Sequence, residues 1–263
     1  MLVAINAGIY VIFLVMGAAG YGKTAGDIAS ALALSGYGVV HGRVYELVTY
    51  GFIHVSFFPV LFNMLMLWMF GSMLEVPWGS RKFWEFYLFG MIGAGLGTVA
   101  LAYAFNGRFL HFSPLNPVIG SAGALYAVYM AVGMLFGNQE VYMFPLPIAI
   151  RLKYLVGILA FISFVAAFGA DGGGGIAQLS GLLFGYLYIK FVPRRGLSYA
   201  VSESYYGMTN GYHRWKRRRA AKKFQVYMRK HEHDPKQFFD EYGNFKPPDE
   251  KKKDGGGPGG WVN

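Results

Sequence analysis

The chain has 263 residues, 54% of them hydrophobic and only 14% charged, against about 25% charged in an ordinary soluble domain. That deficit, a mean hydropathy of +0.34 and 18% aromatic residues point to a membrane protein with interfacial Trp and Tyr. There is no Cys, which excludes disulfides, thiolate metal sites and Cys nucleophiles, and nothing in the sequence implies a metal or a cofactor.

Six stretches approach the roughly 20 apolar residues that a bilayer core requires. They lie at 2–19, 55–74, 83–105, 116–137, 152–169 and 174–192, the first marginally. The first begins at Met1 without a basic leader or a cleavage site, so it reads as a retained span rather than a signal peptide. The segment 20–53 has apolar patches too short to span, and is expected to lie in the membrane interface. Arg81 and Lys82, then Arg151 and Lys153, then Arg194 and Arg195 occupy alternate loops. The positive-inside rule therefore places both termini in the cytoplasm.

The net charge of +10 is unevenly placed. Residues 193–263 hold 16 of the 24 Lys and Arg but only 8 of the 14 Asp and Glu. The reading is two parts: a membrane domain, 1–193, and a basic tail, 194–263. In the tail, 213–231 reads "HRWKRRRAAKKFQVYMRKH". Ala220, Phe224, Tyr227, Met228 and His231 fall at helical spacings, so a basic amphipathic helix is expected at the cytoplasmic face. Trp215, Lys216, Arg217, Arg218 and Arg219 are its candidate membrane-surface residues, each basic one contributing about 1 kcal/mol near anionic lipid. Nucleic-acid binding competes for the same run. The end, "FKPPDEKKKDGGGPGGWVN", is Pro- and Gly-rich and expected to be flexible.

Small residues are concentrated in the spans. Gly120 and Gly123 in "NPVIGSAGALYAVYM", and Gly181 and Gly185 in a G-x-x-x-G spacing, are candidate helix-packing positions.

Three stretches together resemble the rhomboid family of intramembrane serine proteases: "FIHVSFFPVLFNMLMLWMFGSMLE" in span two, "GSAG" with Tyr126 in span four, and "AQLSGLLFGYLY" in span six. "LEVPWGSRKFWEFYLFG", 74–90, resembles the family's entry to span three. The resemblance covers about residues 1–193 and implies an all-α, six-helix membrane bundle. In that family the fourth helix carries G-x-S-G, whose Ser is the nucleophile. The sixth carries A-H-x-x-G-x-x-x-G, whose His is the base. A His and an Asn four residues apart on the second helix hold the oxyanion.

The matching positions here are Ala122 for the Ser, Gln178 for the His, and Pro59 with the retained Asn63 for the oxyanion pair. A methyl group cannot attack and an amide is not basic. The resemblance therefore implies a pseudoprotease with no catalytic residue: a non-catalytic binder of client transmembrane helices, or an accessory subunit of a membrane complex. Its expected partners are the bilayer and an integral membrane protein, contacted through spans two and five or through the small-residue faces of four and six. Its expected location is a bacterial inner membrane. The alternative is a protease with an unusual nucleophile, its catalytic groups drawn from Ser121, Ser180, His54 and His111, for which a structural hydrogen bond is the competing role. Helical geometry turns Ser121 about 100° from position 122, away from the matching face. Gln178 and Asn63 would share one interior and bond each other, a water or a backbone group. A solute transporter has little support, because the spans carry almost no ionisable residues.

Overall fold

The computed structural model describes residues 1–105, 112–143, 148–169 and 172–192, with Tyr212, Trp215, Lys216 and Arg219. The chain divides into two compact units, Met1–Ala200 and Val201–Asn263. His111, Arg217, Arg218, most of the expected tail helix and the Gly-rich end lie outside the described residues.

In the first unit the helices are α1 (Leu2–Ala18), α2 (Gly22–Leu32), α3 (Gly36–Val40), α4 (Glu46–Thr49), α5 (Phe57–Trp78), α6 (Ser80–Phe105), α7 (Ala122–Leu135), α8 (Leu152–Ala167) and α9 (Gly172–Phe191). A 3-10 turn, Tyr50–Phe52, follows α4. Strands β1 (Glu140–Met143) and β2 (Ile148–Arg151) separate α7 from α8. Among the described residues, α5 and α6 are long and apolar enough to cross a membrane by themselves. Helices α1, α7 and α8 are apolar but shorter. At 1.5 Å per residue the 14 residues of α7 reach about 21 Å. The expected span 116–137 begins late because Pro117 and a left-handed Gly120, φ +103°, delay helix entry until Ala122.

Helices α6, α7 and α9 form the tightest group, with α8 packed on α9 and α1 on α5. Their seams are made of small residues. A methyl group at Gly90 of α6 would lie 2.6 Å from the Ala127 methyl of α7. One at Gly185 of α9 would lie 2.7 Å from the Ala127 carbonyl oxygen. With lipid outside, helices associate through such close packing rather than through expulsion of water.

Two elements depart from the sequence reading. The antiparallel pair β1–β2, with Glu140 opposite Arg151 and Met143 opposite Ile148, adds a hairpin to the all-α expectation. Its Glu140 carboxylate lies 3.5 Å from Arg151 Nε, exposed on both sides and so of small energetic value. The segment 20–53, expected to lie along the interface, is more than a surface stretch: it folds into a cap resting on α6 through α3 and α4. Leu34 pairs with Val118 as an isolated antiparallel bridge, tying the cap to the entry of α7. Inside the cap the fully buried Glu46 carboxylate accepts from the Ser35 N–H (2.9 Å) and hydroxyl (3.1 Å), and pairs with Arg43 Nε at 3.1 Å. Both hydrogen bonds fall on Oε2, while Oε1 has the Arg43 ion pair alone.

Candidate functional site

Ala122 is the first residue of α7 and half-buried, so the position matching the family nucleophile presents a methyl group. Gln178 sits on α9, also half-buried. Its partner is Ser163 of α8, whose hydroxyl lies 2.8 Å from Gln178 Oε1 and 2.8 Å from the Leu159 carbonyl. One hydroxyl proton is shared between those two acceptors. The expected Gln178–Asn63 pairing does not form: Asn63 is half-buried, and its side chain makes no hydrogen bond to another described residue. Ser163, wholly buried, was not singled out from the sequence. Its signal was a lone serine in the apolar run "ILAFISFVAA".

Pro59 is exposed in the first turn of α5. The first four N–H groups of a helix lack intrahelical partners, so a proline there removes nothing from the ladder. It also supplies no side-chain donor.

Ser121 and His54, weighed separately in the sequence, are brought together. Ser121 Oγ lies 3.2 Å from His54 Nε2, and the Ser121 N–H donates to the same nitrogen at 3.3 Å. The 100° rotation does not apply, because Ser121 is the N-cap of α7 and not within the helix. Both residues are buried, at 4% and 1% exposure for His54 and Ser121. Burial depresses the His54 pKa below the usual histidine value, so the ring is neutral at pH 7. A backbone N–H can only donate, so Nε2 accepts and the ring proton resides on Nδ1. The pair fastens the entry of α5 to the start of α7. Ser180, the other candidate hydroxyl, packs toward Gly97 of α6: a methyl group at Gly97 would lie 2.5 Å from Ser180 Oγ.

Of the four candidate packing glycines, Gly123, Gly181 and Gly185 lie in the α7–α9 seam, where Gly181 abuts the Gly123 carbonyl. Gly120 does not belong to that seam. It occupies the turn before α7, where only the His54 ring comes within 4.0 Å of an added methyl group. Its φ of +103° calls for glycine whatever the space, and its N–H donates to the Tyr50 carbonyl at 2.9 Å.

A second feature lies across α5, α7, β1 and α8. Helices α5 and α8 make at most slight contact with one another. Between them opens a largely apolar groove of about 400 Å³, lined among others by Phe62, Leu65, Met69, Tyr129, Tyr142 and Leu155. Tyr129 of α7 forms part of its floor, and Tyr142 brings in the hairpin. Trp68 of α5, which also lines the groove, is 67% exposed, and Phe161 of α8, outside it, 68% exposed.

In the second unit, Tyr212 and Trp215 stack with ring centroids 6.2 Å apart, and the Arg219 guanidinium lies 5.1 Å from the Trp215 ring centroid. Lys216 is exposed beside them.

A family model described as "Eukaryotic integral membrane protein (DUF1751)" matches residues 2–219. Among curated proteins, the Haemophilus influenzae rhomboid protease GlpG is 28% identical over 165 residues, covering 62% of this chain and 77% of its own. The mitochondrial rhomboid protein 1 of Saccharomyces cerevisiae is 28% identical over 146 residues, 54% of this chain and 40% of its own. Rhomboid-like protein 19 of Arabidopsis thaliana is 27% identical over 161 residues, 57% of this chain and 49% of its own. The match thus spans less than half the length of the yeast and plant relatives. Over more than half of its length the chain is similar to these rhomboid proteins. The family's eukaryotic description does not support the bacterial inner membrane expected from the sequence.

Proposed function

We propose, for a chain that belongs to the DUF1751 family of eukaryotic integral membrane proteins, a non-catalytic role: a rhomboid-like body of six membrane helices, α1 and α5 to α9, that receives a transmembrane helix of a client or partner subunit against α5 and α8. The observation that carries this reading is the coexistence of an apolar groove between α5 and α8 with Ala122 and Gln178 at the positions matching the reacting groups. Packing is what joins helices in lipid, so a concave face of aromatic and Met side chains with little opposite it is where a further helix gains contact.

The test is photocrosslinking from Leu65 on the groove and Phe161 on its outer flank. A discrete protein adduct is expected from Leu65, and filling the groove with Leu155→Trp should abolish it. Lipid adducts alone from both positions, with no co-purifying protein, would leave a solitary bundle and defeat the reading.

The 3.2 Å approach of His54 to Ser121 favours a second reading, a protease whose nucleophile is Ser121. Hydrogen-bond reach between a serine and an imidazole is the geometry such chemistry needs. Three facts weigh against it. Ser121 is only 1% exposed, so no scissile bond reaches its oxygen in this conformation. The Ser121 N–H competes with its hydroxyl for the single lone pair of Nε2. Burial lowers the basicity of the His54 ring and outweighs its backbone hydrogen bond to Phe52.

In this reading both termini face the cytoplasm, as the loop charges favour, with the basic tail against anionic lipid and Trp215 at the headgroups. A reporter fused after Asn263 should respond as cytoplasmic, and one near Gly107 as facing the opposite compartment. The reverse pattern would invert the orientation, and both reporters on one side would change the number of spans.

A further inference from the structure

A small cavity lies where α1 packs on α5 beside the start of α6. It encloses about 210 Å³ and is lined among others by Val3, Trp68, Gly71, Glu75, Phe83 and Trp84. Trp68, Gly71 and Glu75 fall at i, i+3 and i+7 on α5, so helical spacing sets them on one stripe. Phe83 and Trp84 come from the first turns of α6. Gly71 leaves room for the floor: a methyl group there would lie 2.9 Å from Phe83 Cζ. Phe83 is buried, whereas both indoles are reachable, Trp84 in part and Trp68 more fully.

The acidic group of this cavity has no counter-charge. Among the described residues none forms an ion pair or a hydrogen bond with the Glu75 carboxylate. The Ser72 hydroxyl, also in the wall, donates instead to the Met69 carbonyl at 2.9 Å. Glu75 stands in the last turn of α5, the negative end of the helix dipole, where a cation is favoured and an anion is not. A carboxylate and two indoles in one small cavity therefore suit a cation.

The walls also select its kind. A metal ion needs several oxygen or nitrogen ligands, and no group of three or more His, Cys, Asp or Glu that could hold one occurs among the described residues. A primary ammonium brings three N–H donors to a largely aromatic wall. A quaternary ammonium has no N–H to satisfy and is held by aromatic faces, Trp best of all. The volume is below the roughly 300–1,000 Å³ of drug-sized pockets, so it fits a headgroup rather than a whole amphiphile. The cavity flanks the end of a membrane-length helix, at the depth where Trp meets headgroups. Arg81, exposed and one helical turn before Trp84 on the same face of α6, offers a cation to an adjoining phosphate.

We propose that this cavity receives the choline headgroup of one phosphatidylcholine molecule, its ammonium between Glu75 and the Trp68 and Trp84 rings and its phosphate toward Arg81. The site does not rest on the helix-binding role of the groove.

Native mass spectrometry of the full chain in mild detergent tests it, with phosphatidylcholine and phosphatidylethanolamine of identical acyl chains supplied together. The two lipids differ only in the methyl groups on nitrogen. One retained phosphatidylcholine per chain is expected, favoured about tenfold. Glu75→Gln, which keeps the shape of the side chain, and Trp84→Leu, which removes an aromatic face, should each abolish that preference. Val3→Trp, which fills the cavity and leaves Glu75 and both indoles in place, should remove the bound lipid. Glu140→Gln, on the hairpin and outside the cavity, should retain it. Free choline at the concentration of the lipid should not displace it. Equal retention of both lipids, or a preference unchanged by Glu75→Gln or by Trp84→Leu, would overturn the proposal. A preference for phosphatidylethanolamine would overturn it in favour of a primary ammonium, and displacement by choline in favour of a soluble cation.

Discussion

A variant carrying Ala122→Ser will cleave a transmembrane rhomboid substrate no faster than the parent chain. The new hydroxyl would stand at the start of α7, and its neighbours supply no base. Gln178 is an amide, and its Oε1 is already engaged by the Ser163 hydroxyl at 2.8 Å. The imidazole of His54 is held by Ser121, through both its N–H and its Oγ. In a well-studied serine protease, removing the base alone loses about as much as removing the whole triad, on the order of a millionfold. The oxyanion site is deficient too. Pro59 has no donor, and one missing donor costs roughly 3–4 kcal/mol. Restoring all three positions, with Ala122→Ser, Gln178→His and Pro59→His, should give at most trace cleavage, since Ser163 is set to bind an amide at 178. The assay is substrate cleavage in liposomes together with fluorophosphonate labelling. Robust cleavage by the single variant would mean that position 178 is misassigned. Labelling of Ser121 in the parent would revive the protease reading.

What the sequence made legible was what depends on composition and on fixed spacing. The order of the apolar stretches survives in α1 and α5 to α9, and the small residues at 123, 181 and 185 lie in one seam because helical spacing places them on facing sides. What it hid depends on contacts between distant segments. Ser163 is one serine among apolar neighbours, and only the packing of α8 on α9 reveals it as the partner of Gln178. His54 and Ser121 are 67 residues apart, and their meeting depends on the cap, which anchors the turn before α7 through the Leu34–Val118 bridge and the Tyr50 carbonyl. The hairpin was missed because a four-residue strand is too short for alternation to stand out against a hydrophobic background. Gly120 read as a packing residue because sequence cannot tell a glycine kept for space from one kept for a positive φ.

Gly181→Ala will disrupt the bundle, whereas Gly157→Ala will leave it intact. The two substitutions add the same methyl group to an apolar helix, so intrinsic helix preference favours both by roughly 0.5–1 kcal/mol. Their surroundings are opposite. At Gly157 of α8 nothing lies within 4 Å of the added carbon. At Gly181 of α9 the methyl group would run into the main chain of Gly123 on α7. A backbone atom inside a helix cannot turn aside as a side chain does. Nor can α7 retreat freely, since a methyl group at Gly123 would already lie 2.7 Å from the Ala94 methyl of α6, and Gly185 repeats the close approach one turn on. Overpacking ordinarily costs about 1–3 kcal/mol, and the upper end or more is expected where both sides are main chain. Against a total stability of about 5–15 kcal/mol that is a large loss. Because Tyr129 of α7 floors the groove between α5 and α8, separating α7 from α9 should also weaken crosslinking from Leu65. The measurement is thermal unfolding in mild detergent, followed by tryptophan fluorescence, beside the Leu65 crosslink. A Gly181→Ala protein that melts with the parent and still crosslinks would show that α7 and α9 are not in backbone contact, and that the groove does not rest on their seam.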